Sequence, residues 1–401
     1  MNLSKKITLL SYISTASASG AIITPALPTI EKSFHLPIGA VEWIVTLFLL
    51  GYMFGQLIYG PLSNRYGRLP TIRIGFLINI IGILLSLLAV YEESFLGLLC
   101  ARLFTSLGAA AGLCCTFTLI HELLPEDEAK KALSYSVLSF TLGIGLSIFV
   151  GGIITEYLHW GAIFFVLLIH GIVLFASTWL FTESHQEKIP IHPRTIVMGY
   201  FHVLQNKKLI IYSAIFGVTS VFSYCYSTAA PMIAKQFLIL NAAEYGTWNT
   251  SIMVGMILGS ITGAQLIKKL HIRTVINLTL ILLGIGFLSF FIQRVLSSQN
   301  HIWFFSTATL LYLFMSWLFP SASFLALQNT KDRASASGVM NFINMGAAVF
   351  SVALMGYLPF SSFTALLLVL YGYLIIVSLG RLFLKSATNN LSNPSNSSGQ
   401  T

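Results

Sequence analysis

The chain has 401 residues, of which 56% are apolar and only 9% are charged, and its formal net charge is +9. A water-facing surface needs about 25% charged residues, so this composition excludes an ordinary soluble domain. The mean hydropathy of +0.82 is typical of a chain surrounded mostly by hydrocarbon. Because one crossing takes about 20 apolar residues, the length allows roughly a dozen membrane-spanning helices.

Apolar runs separated by polar, Gly or Pro residues predict twelve membrane-spanning helices. The first run follows Lys5 and Lys6 without a small-residue cleavage site after it, so we interpret it as a retained helix rather than a signal peptide. The longest internal break, residues 182–208, is a predicted cytoplasmic loop between a six-helix bundle at 1–181 and another at 209–385. The polar residues 386–401 form a predicted disordered cytoplasmic tail.

Basic residues predict the orientation of these spans. With the N-terminus in the cytoplasm, nearly all of the 22 Lys and Arg residues fall in cytoplasmic segments, whereas Asp and Glu show no such bias. Lys32, Lys235 and Arg294 fall on the opposite side, and Arg102 falls within a span. The pattern predicts a multi-pass protein of a cytoplasmic-type membrane with both termini in the cytoplasm.

A weak internal repeat links the two halves. Trp43 is followed by Gly51 and Gly55 before a basic loop, and Trp248 begins a similar pattern in the second half. Two related bundles are the arrangement expected of transporters with a substrate site between them near the bilayer midplane. The sequence therefore predicts an all-α membrane protein with twelve transmembrane helices in two six-helix bundles.

The loop between the second and third spans carries a distinctive motif, Gly60-Pro61-Leu62-Ser63-Asn64-Arg65-Tyr66-Gly67-Arg68-Leu69-Pro70. It resembles the loop signature of the major facilitator superfamily, which has an aspartate at the position of Asn64. The chain is also similar to the drug:proton antiporter branch, and in particular to bicyclomycin/chloramphenicol resistance exporters, over roughly residues 10–385. That similarity lies in Pro25-Ala26-Leu27-Pro28, Trp43, Arg102 with Gly108, and Gly143, Gly145, Gly151 and Gly152.

The resemblance implies the major facilitator fold, alternating access, and multidrug-type efflux of a small molecule in exchange for protons. The sequence leaves open an exporter of an endogenous carboxylate-bearing metabolite such as a siderophore, an uncoupled facilitator and, more remotely, a non-transporting receptor or an enzyme. No motif for catalysis, a metal or a cofactor supports the enzyme alternative. We expect a monomer in the lipid bilayer, with no nucleic-acid partner.

The loop motif predicts a conformational latch, that is, a cluster that can hold one bundle to the other on the cytoplasmic side. Its glycines permit tight backbone geometry, and its arginines lie near helix ends whose carbonyls favour cations. The alternative is that the arginines only enforce topology. Asn64 has a neutral amide where the family has an aspartate, so the sequence leaves open the part of the latch that depends on a negative charge. The latch residues are Gly60, Asn64, Arg65, Gly67 and Arg68.

Charged groups within the bilayer cost several kcal/mol, so they are usually paired, solvated or functional. Arg102 lies about 12 Å below the outer surface at 1.5 Å per residue. It either ties the first, second and fourth spans together or faces the cavity to couple protons or bind an anion. The titratable candidates are Glu42 near the start of span two, Glu122 at the cytoplasmic end of span four, and His170 in span six. The alternatives are a packing role for His170 and a solvated helix-end cluster for Glu122.

The middle of the spans carries no Asp or Glu, so the predicted cavity has no fixed negative charge to bind a lipophilic cation. Arg102 would favour a neutral, zwitterionic or carboxylate-bearing substrate. Amide and tyrosine side chains are candidates for the cavity lining, with helix packing as the alternative role. They are Gln56, Asn249, Asn341, Asn344, Tyr224 and Tyr226.

The chain departs from the exporter pattern in three spans. Residues 19–24, including Ala21, lack the carboxylate common in span one, and Ile148 lies in a stretch of span five that lacks the usual proline hinge. Thr105 and Ser106 replace a usual Gln-Gly after Arg102. These departures leave open how transport is coupled to protons.

Overall fold

The computed structural model describes residues 3–183, 193–328 and 333–392, and these residues are almost entirely helical, with no strand among them. Eleven helices are long and apolar enough to cross a membrane, or twelve if the bent first pair is one span. The all-α fold predicted from the apolar runs is confirmed.

The first half contains eight α-helices, which are α1 Leu3–Ser11, α2 Ser14–Ala21, α3 Leu27–Ser33, α4 Trp43–Tyr66, α5 Arg68–Tyr91, α6 Phe95–Leu123, α7 Glu126–Tyr157 and α8 Ile163–Ser177. The second half contains α9 Pro193–Leu204, α10 Lys207–Gln236, α11 Ala242–Asn249, α12 Ser251–Lys269, α13 Ile272–Val295, α14 His301–Leu327, α15 Arg333–Tyr357 and α16 Ser362–Ser392. Helices α11 and α12 together form one span, Ala242–Lys269.

The first span is bent by 46° between α1 and the segment Ser14–Ser33. Around the break, the hydroxyls of Ser11 and Ser14 donate to carbonyls three residues earlier, at 2.7 Å and 2.6 Å. Such local bonds compete with the regular helical ladder. The bend therefore has a local cause in the hydroxyl-rich sequence.

Glycines allow close helix packing within each half. A methyl group at Gly108 of α6 would collide with the backbone of Asn79 in α5. In the second half, a methyl at Gly255 of α12 would collide with the Thr309 carbonyl in α14. These glycines bring backbones together, as small residues commonly do between membrane helices.

The two halves meet where α4 packs against α15 and where α7 packs against α11 and α12. The rings of Trp43 and Tyr357 lie 6.0 Å apart, and those of Phe54 and Phe342 lie 6.2 Å apart. We call the side of the molecule containing the helix ends at Trp43, Tyr157 and Tyr357 the Trp43 face. The opposite side, containing the helix ends at Tyr66, Arg68 and Leu123, is the Arg68 face. The Trp43–Tyr357 pair closes the Trp43 face, whereas the Phe54–Phe342 pair joins the halves nearer the middle of α4 and α15.

Two segments predicted to be loop or tail contain helix. Helix α16 continues to Ser392 and so includes residues 386–392 of the predicted tail. No proline interrupts the chain between Gly380 and Pro394, so the backbone ladder can continue. Helix α9 lies within the predicted loop 182–208 and buries Val203 against Leu209 and Val339. Residues 184–192 of that loop and 393–401 of that tail lie outside the described residues.

Candidate functional site

Arg102 lies in the interior of α6 with its side chain entirely buried. Ser94 caps the start of this helix by accepting a hydrogen bond from the Gly97 backbone N–H at 3.1 Å. The guanidinium carbon of Arg102 lies 4.3 Å from the centre of the Phe48 ring on α4. In the described part of the chain, none of its three guanidinium nitrogens has a hydrogen-bond partner.

This environment leaves the charge of Arg102 poorly compensated. A desolvated cation on an aromatic face gains about 2 kcal/mol, whereas the effective penalty for burying an ion is several kcal/mol. No carboxylate among the described residues forms an ion pair with it. The guanidinium therefore offers unused donors to an anion or another strong hydrogen-bond acceptor.

Glu42 lies immediately before α4, between the two halves at the Trp43 face. The residue is 6% exposed, and its Oε2 has no hydrogen-bond partner in the described chain. A methyl at Gly356 of α15 would lie 3.4 Å from its Cβ. Burial, with a smaller contribution from the Glu31 charge, raises the pKa of Glu42 from an ordinary 4.5 to about 7. This carboxyl can change protonation state near neutral pH.

His170 of α8 faces the bend in the first span. Its Nε2 lies 3.3 Å from the Ser14 hydroxyl, which itself donates to the Ser11 carbonyl at 2.6 Å. The side chain is half-buried. This contact agrees with the packing alternative for His170, because it ties α8 to the broken helix.

Glu122 pairs with Arg68 on the Arg68 face. The Glu122 Oε1 accepts from the Arg68 Nη2 at 2.9 Å and from Nε at 3.1 Å. The Asn64 amide oxygen accepts from Arg68 Nη1 at 2.6 Å, and Arg68 is 7% exposed. The latch arginine is thus held by side chains of α4 and α6, whereas Arg65 is exposed to solvent.

Glu183 completes this cluster, although the motif gave no reason to expect it. Its carboxylate accepts hydrogen bonds from the backbone N–H groups of Arg68 and Leu69, each at 2.9 Å. A carboxylate at a helix N-terminus satisfies free N–H groups and the helix dipole. The sequence shows only an acidic residue after span six. It does not show that this residue returns to the start of α5.

The two latch glycines occupy different conformations. Gly67 has φ of +103°, and a methyl there would lie 2.9 Å from the Glu183 carboxylate. Gly60 lies within α4, and a methyl there would meet no atom within 4 Å. The expected need for special backbone geometry therefore holds at Gly67 and not at Gly60.

Two of the cavity candidates are in contact in the second half. The Tyr226 hydroxyl donates to the Asn249 amide oxygen at 3.2 Å, and both side chains are buried. The Tyr226 ring stacks on Phe222 with centroids 5.6 Å apart. The hydrogen bond joins α10 to α11, and the ring contact lies within α10.

The other cavity candidates differ in burial. Asn344 of α15 is 2% exposed, and its amide oxygen has no partner in the described chain. Half-buried side chains are those of Gln56, Tyr224 and Asn341. Among the candidates, three thus have buried polar atoms without a partner in the described chain: Arg102 and Glu42 in the first half, and Asn344, through its amide oxygen, in the second.

The sequence matches the family described as Major Facilitator Superfamily over residues 9–237, more than half of the chain. The chain belongs to the Major Facilitator Superfamily. The family expected from the loop motif is therefore confirmed, and the protein is a multi-pass membrane transporter of the bacterial type.

Among its relatives is the bicyclomycin resistance protein homolog of Haemophilus influenzae, 25% identical over 270 residues, which are 66% of each chain. Multidrug resistance protein D of Escherichia coli strain K12 is 25% identical over 206 residues, 51% of this chain and 50% of the relative. The chain thus spans slightly less than two thirds of the first of these relatives. These similarities confirm the expected resemblance to drug-resistance transporters.

Solved structures of the same fold include PepTSo, a POT family transporter. It has a TM-score of 0.75 at 11% identity, and the match covers 96% of this chain and 98% of that one. The inward open conformation of the xylose transporter XylE from E. coli has a TM-score of 0.72 at 14% identity, covering 95% and 94%. At these identities the matches confirm the fold alone.

Proposed function

We propose that the protein exports a small molecule across the bacterial cytoplasmic membrane by alternating access in exchange for protons. The observation that carries this proposal is the closure of the Trp43 face by contacts between the two halves. Contacts of side chains and glycines can separate without breaking a helix, as rocking of one bundle against the other requires. The two drug-resistance relatives support export as the direction.

The distribution of basic residues supports the orientation. We place the Arg68 face in the cytoplasm, so the closed Trp43 face is periplasmic and both termini are cytoplasmic. In this orientation the described conformation is closed to the outside, the arrangement from which an exporter takes up its substrate. We assign the rocking units to residues 1–181 and 209–385 of a monomer, joined by the loop 182–208.

The unpartnered guanidinium of Arg102 supports a polar or anionic substrate. A lipophilic cation would be repelled by a buried positive charge, whereas a carboxylate or carbonyl oxygen would use its free donors. This also favours the second candidate function, export of an endogenous carboxylate-bearing metabolite. Asn344, Asn341 and Gln56 supply amides for other polar groups of the substrate, and Tyr224 and Tyr226 supply aromatic faces.

We assign proton coupling to Glu42 acting with Arg102. Glu42 titrates near neutral pH and lies at the contact between the halves, whereas Glu122 is bound to Arg68 and His170 contacts Ser14. The Arg68 cluster, with Asn64 and Glu122, is the proposed latch on the cytoplasmic side.

Transport in proteoliposomes tests the function. Metabolite profiling of cells with and without the gene identifies candidate substrates, which are then loaded and followed under an imposed pH gradient. We expect substrate to move in the direction opposite to proton flow in the wild type and in Lys269→Gln, which removes an exposed charge at the end of α12, on the face opposite Glu42. Movement that is equal with and without a gradient would contradict antiport, and no movement of any enriched metabolite or drug would contradict export.

A further inference from the structure

A groove between α13 and α16 lies on the outer surface of the second half, away from the boundary between the halves. It has a volume of about 570 Å³, within the range of about 300–1,000 Å³ found for ligand pockets. Its walls include Leu288 and Phe291 from α13 and Leu368 and Tyr371 from α16. Residues three apart share a helix face, so each helix contributes one continuous apolar stripe.

Packed aromatic rings lie behind the lining of the groove. Phe287 and Tyr371 contact edge to face with centroids 5.9 Å apart, and Phe290 and Phe363 contact similarly at 6.1 Å. Phe287 and Phe290 are almost entirely buried, whereas Leu368 is 49% exposed. The groove is therefore an apolar channel, backed by packed rings, that opens towards the surrounding hydrocarbon.

The rim of the groove at the Trp43 face is polar. Arg294, Ser297 and Thr364 line it there, and the guanidinium of Arg294 lies 5.7 Å from the Phe237 ring centre. Within the described residues, no carboxylate pairs with this guanidinium, and no hydrogen bond from it to another residue is present. From Leu288 to Arg294 the helix rises about 9 Å at 1.5 Å per residue, so the charge lies at the mouth and the apolar channel extends below it.

We propose that this groove binds one anionic phospholipid of the leaflet at the Trp43 face. The phosphate contacts the Arg294 guanidinium and the neighbouring hydroxyls, and an acyl chain lies along the two apolar stripes. Charge complementarity selects this occupant, because a guanidinium with free donors forms charge-assisted hydrogen bonds with a phosphate. A second protein copy would bury the apolar stripes but would leave the cation unpaired.

Native mass spectrometry of the full chain with equal amounts of phosphatidylglycerol and phosphatidylethanolamine tests the site. We expect the wild type to retain one phosphatidylglycerol in preference to phosphatidylethanolamine. Arg294→Gln should lower phosphatidylglycerol binding about fivefold, the factor for one basic residue near an anionic surface. Leu368→Trp, which fills the groove, should displace both lipids, and Lys32→Gln should behave as the wild type because it removes an exposed charge from the other half.

Unchanged phosphatidylglycerol binding in both groove variants would overturn the proposal. Equal binding of the two lipids by the wild type would overturn the role of Arg294 as an anion site. A dimer signal that disappears in Leu368→Trp would show that a second copy, and not a lipid, occupies the groove. Since Arg294 and Leu368 lie at the lipid-facing surface, both variants should fold, which size-exclusion chromatography checks.

Discussion

The backbones of Gly39 and Gly356 touch across the boundary between the two halves. Gly39 has φ of +84°, and a methyl on it would overlap the Gly356 carbonyl oxygen. A methyl on Gly356 would lie 2.7 Å from the Gly39 carbonyl oxygen, closer than real contacts allow. The closed Trp43 face therefore depends on the absence of two side chains.

Gly356→Ala should open the Trp43 face, because the nearest atom to the added methyl is the backbone carbonyl oxygen of Gly39 and the two halves must separate to accommodate it. Spin labels at the exposed residues Ile38 and Phe360 would measure the separation, in a background lacking the four native cysteines. We expect the distance distribution to shift to longer values. Gly372→Ala, at a site with no atom within 4 Å of the added methyl, is the matched control. Identical distributions for the two variants would contradict this role of Gly356.

Arg102→Met should abolish transport of carboxylate-bearing substrates while making the folded protein more stable. The substitution removes a buried charge without hydrogen-bond partners and keeps an apolar side chain of similar length. Relief of the desolvation cost should stabilise the protein by at least about 1 kcal/mol. Transport in proteoliposomes and thermal unfolding in detergent measure the two effects.

Arg102→Lys separates charge from geometry. Lysine keeps the positive charge but lacks the planar group that lies over Phe48 and the paired donors that suit a carboxylate. We expect weaker substrate binding, seen as a raised KM, and no gain in stability. If Arg102→Met transports normally, Arg102 has only a packing role; if it unfolds, the guanidinium has partners beyond Phe48.

Closure of the Trp43 face should depend on pH through Glu42. When the face is closed, burial holds the pKa of Glu42 at about 7, and when it is open to water the pKa returns towards 4.5. Below pH 4.5 the Glu42 carboxyl is protonated in both the closed and the open state, so it does not oppose closure there. Closure becomes less favourable as the pH rises from 4.5 to 7. Above pH 7 the free-energy cost that Glu42 adds to closure is constant, on the order of 3 kcal/mol.

The same spin labels measure this effect between about pH 5 and pH 8. We expect the closed population to fall as the pH rises in the wild type, and to stay nearly constant in Glu42→Gln, which mimics the protonated acid. Glu31→Gln is the control for the nearby charge and should reduce the pH response only slightly, because burial is the larger cause. A closed population that responds to pH equally in Glu42→Gln would assign the response to another group.

Much of the fold follows from patterns with a direct physical cause. A stretch such as Arg68–Tyr91 can only be accommodated in hydrocarbon as a helix, so composition and length predict it. The continuation of α16 to Ser392 does not follow from polarity, because a polar stretch without a helix-breaking residue suits either a helix or an unstructured tail. The bend near Ser14 was not predicted either, since hydroxyls within a span do not show whether they will compete for backbone carbonyls.

The candidate site could be predicted only as a set of unusual residues. Arg102 stands out in sequence because a charge within a span is rare, but its position over Phe48 depends on how α4 packs on α6. The contribution of Glu183 depends on a long-range return of the chain to the start of α5. Periodicity identifies residues on one helix face, whereas these contacts depend on tertiary packing.

The latch loop offers a comparison between its two glycines. Gly67→Ala should destabilise the protein, because a side chain at φ of +103° is strained and its methyl would press on the Glu183 carboxylate 2.9 Å away. Gly60→Ala should be neutral or stabilise by up to about 1 kcal/mol, because it improves helix propensity where no atom lies within 4 Å. Thermal unfolding in detergent measures the stability of both variants, and the transport rate shows whether the loss of stability at Gly67 also lowers transport.

Equal stability of the two variants would mean that the Glu183 cap and the turn at Gly67 do not hold the start of α5. Since both substitutions add one methyl to the same motif, a difference between them assigns the effect to the surroundings of Gly67, namely its positive φ and the Glu183 carboxylate.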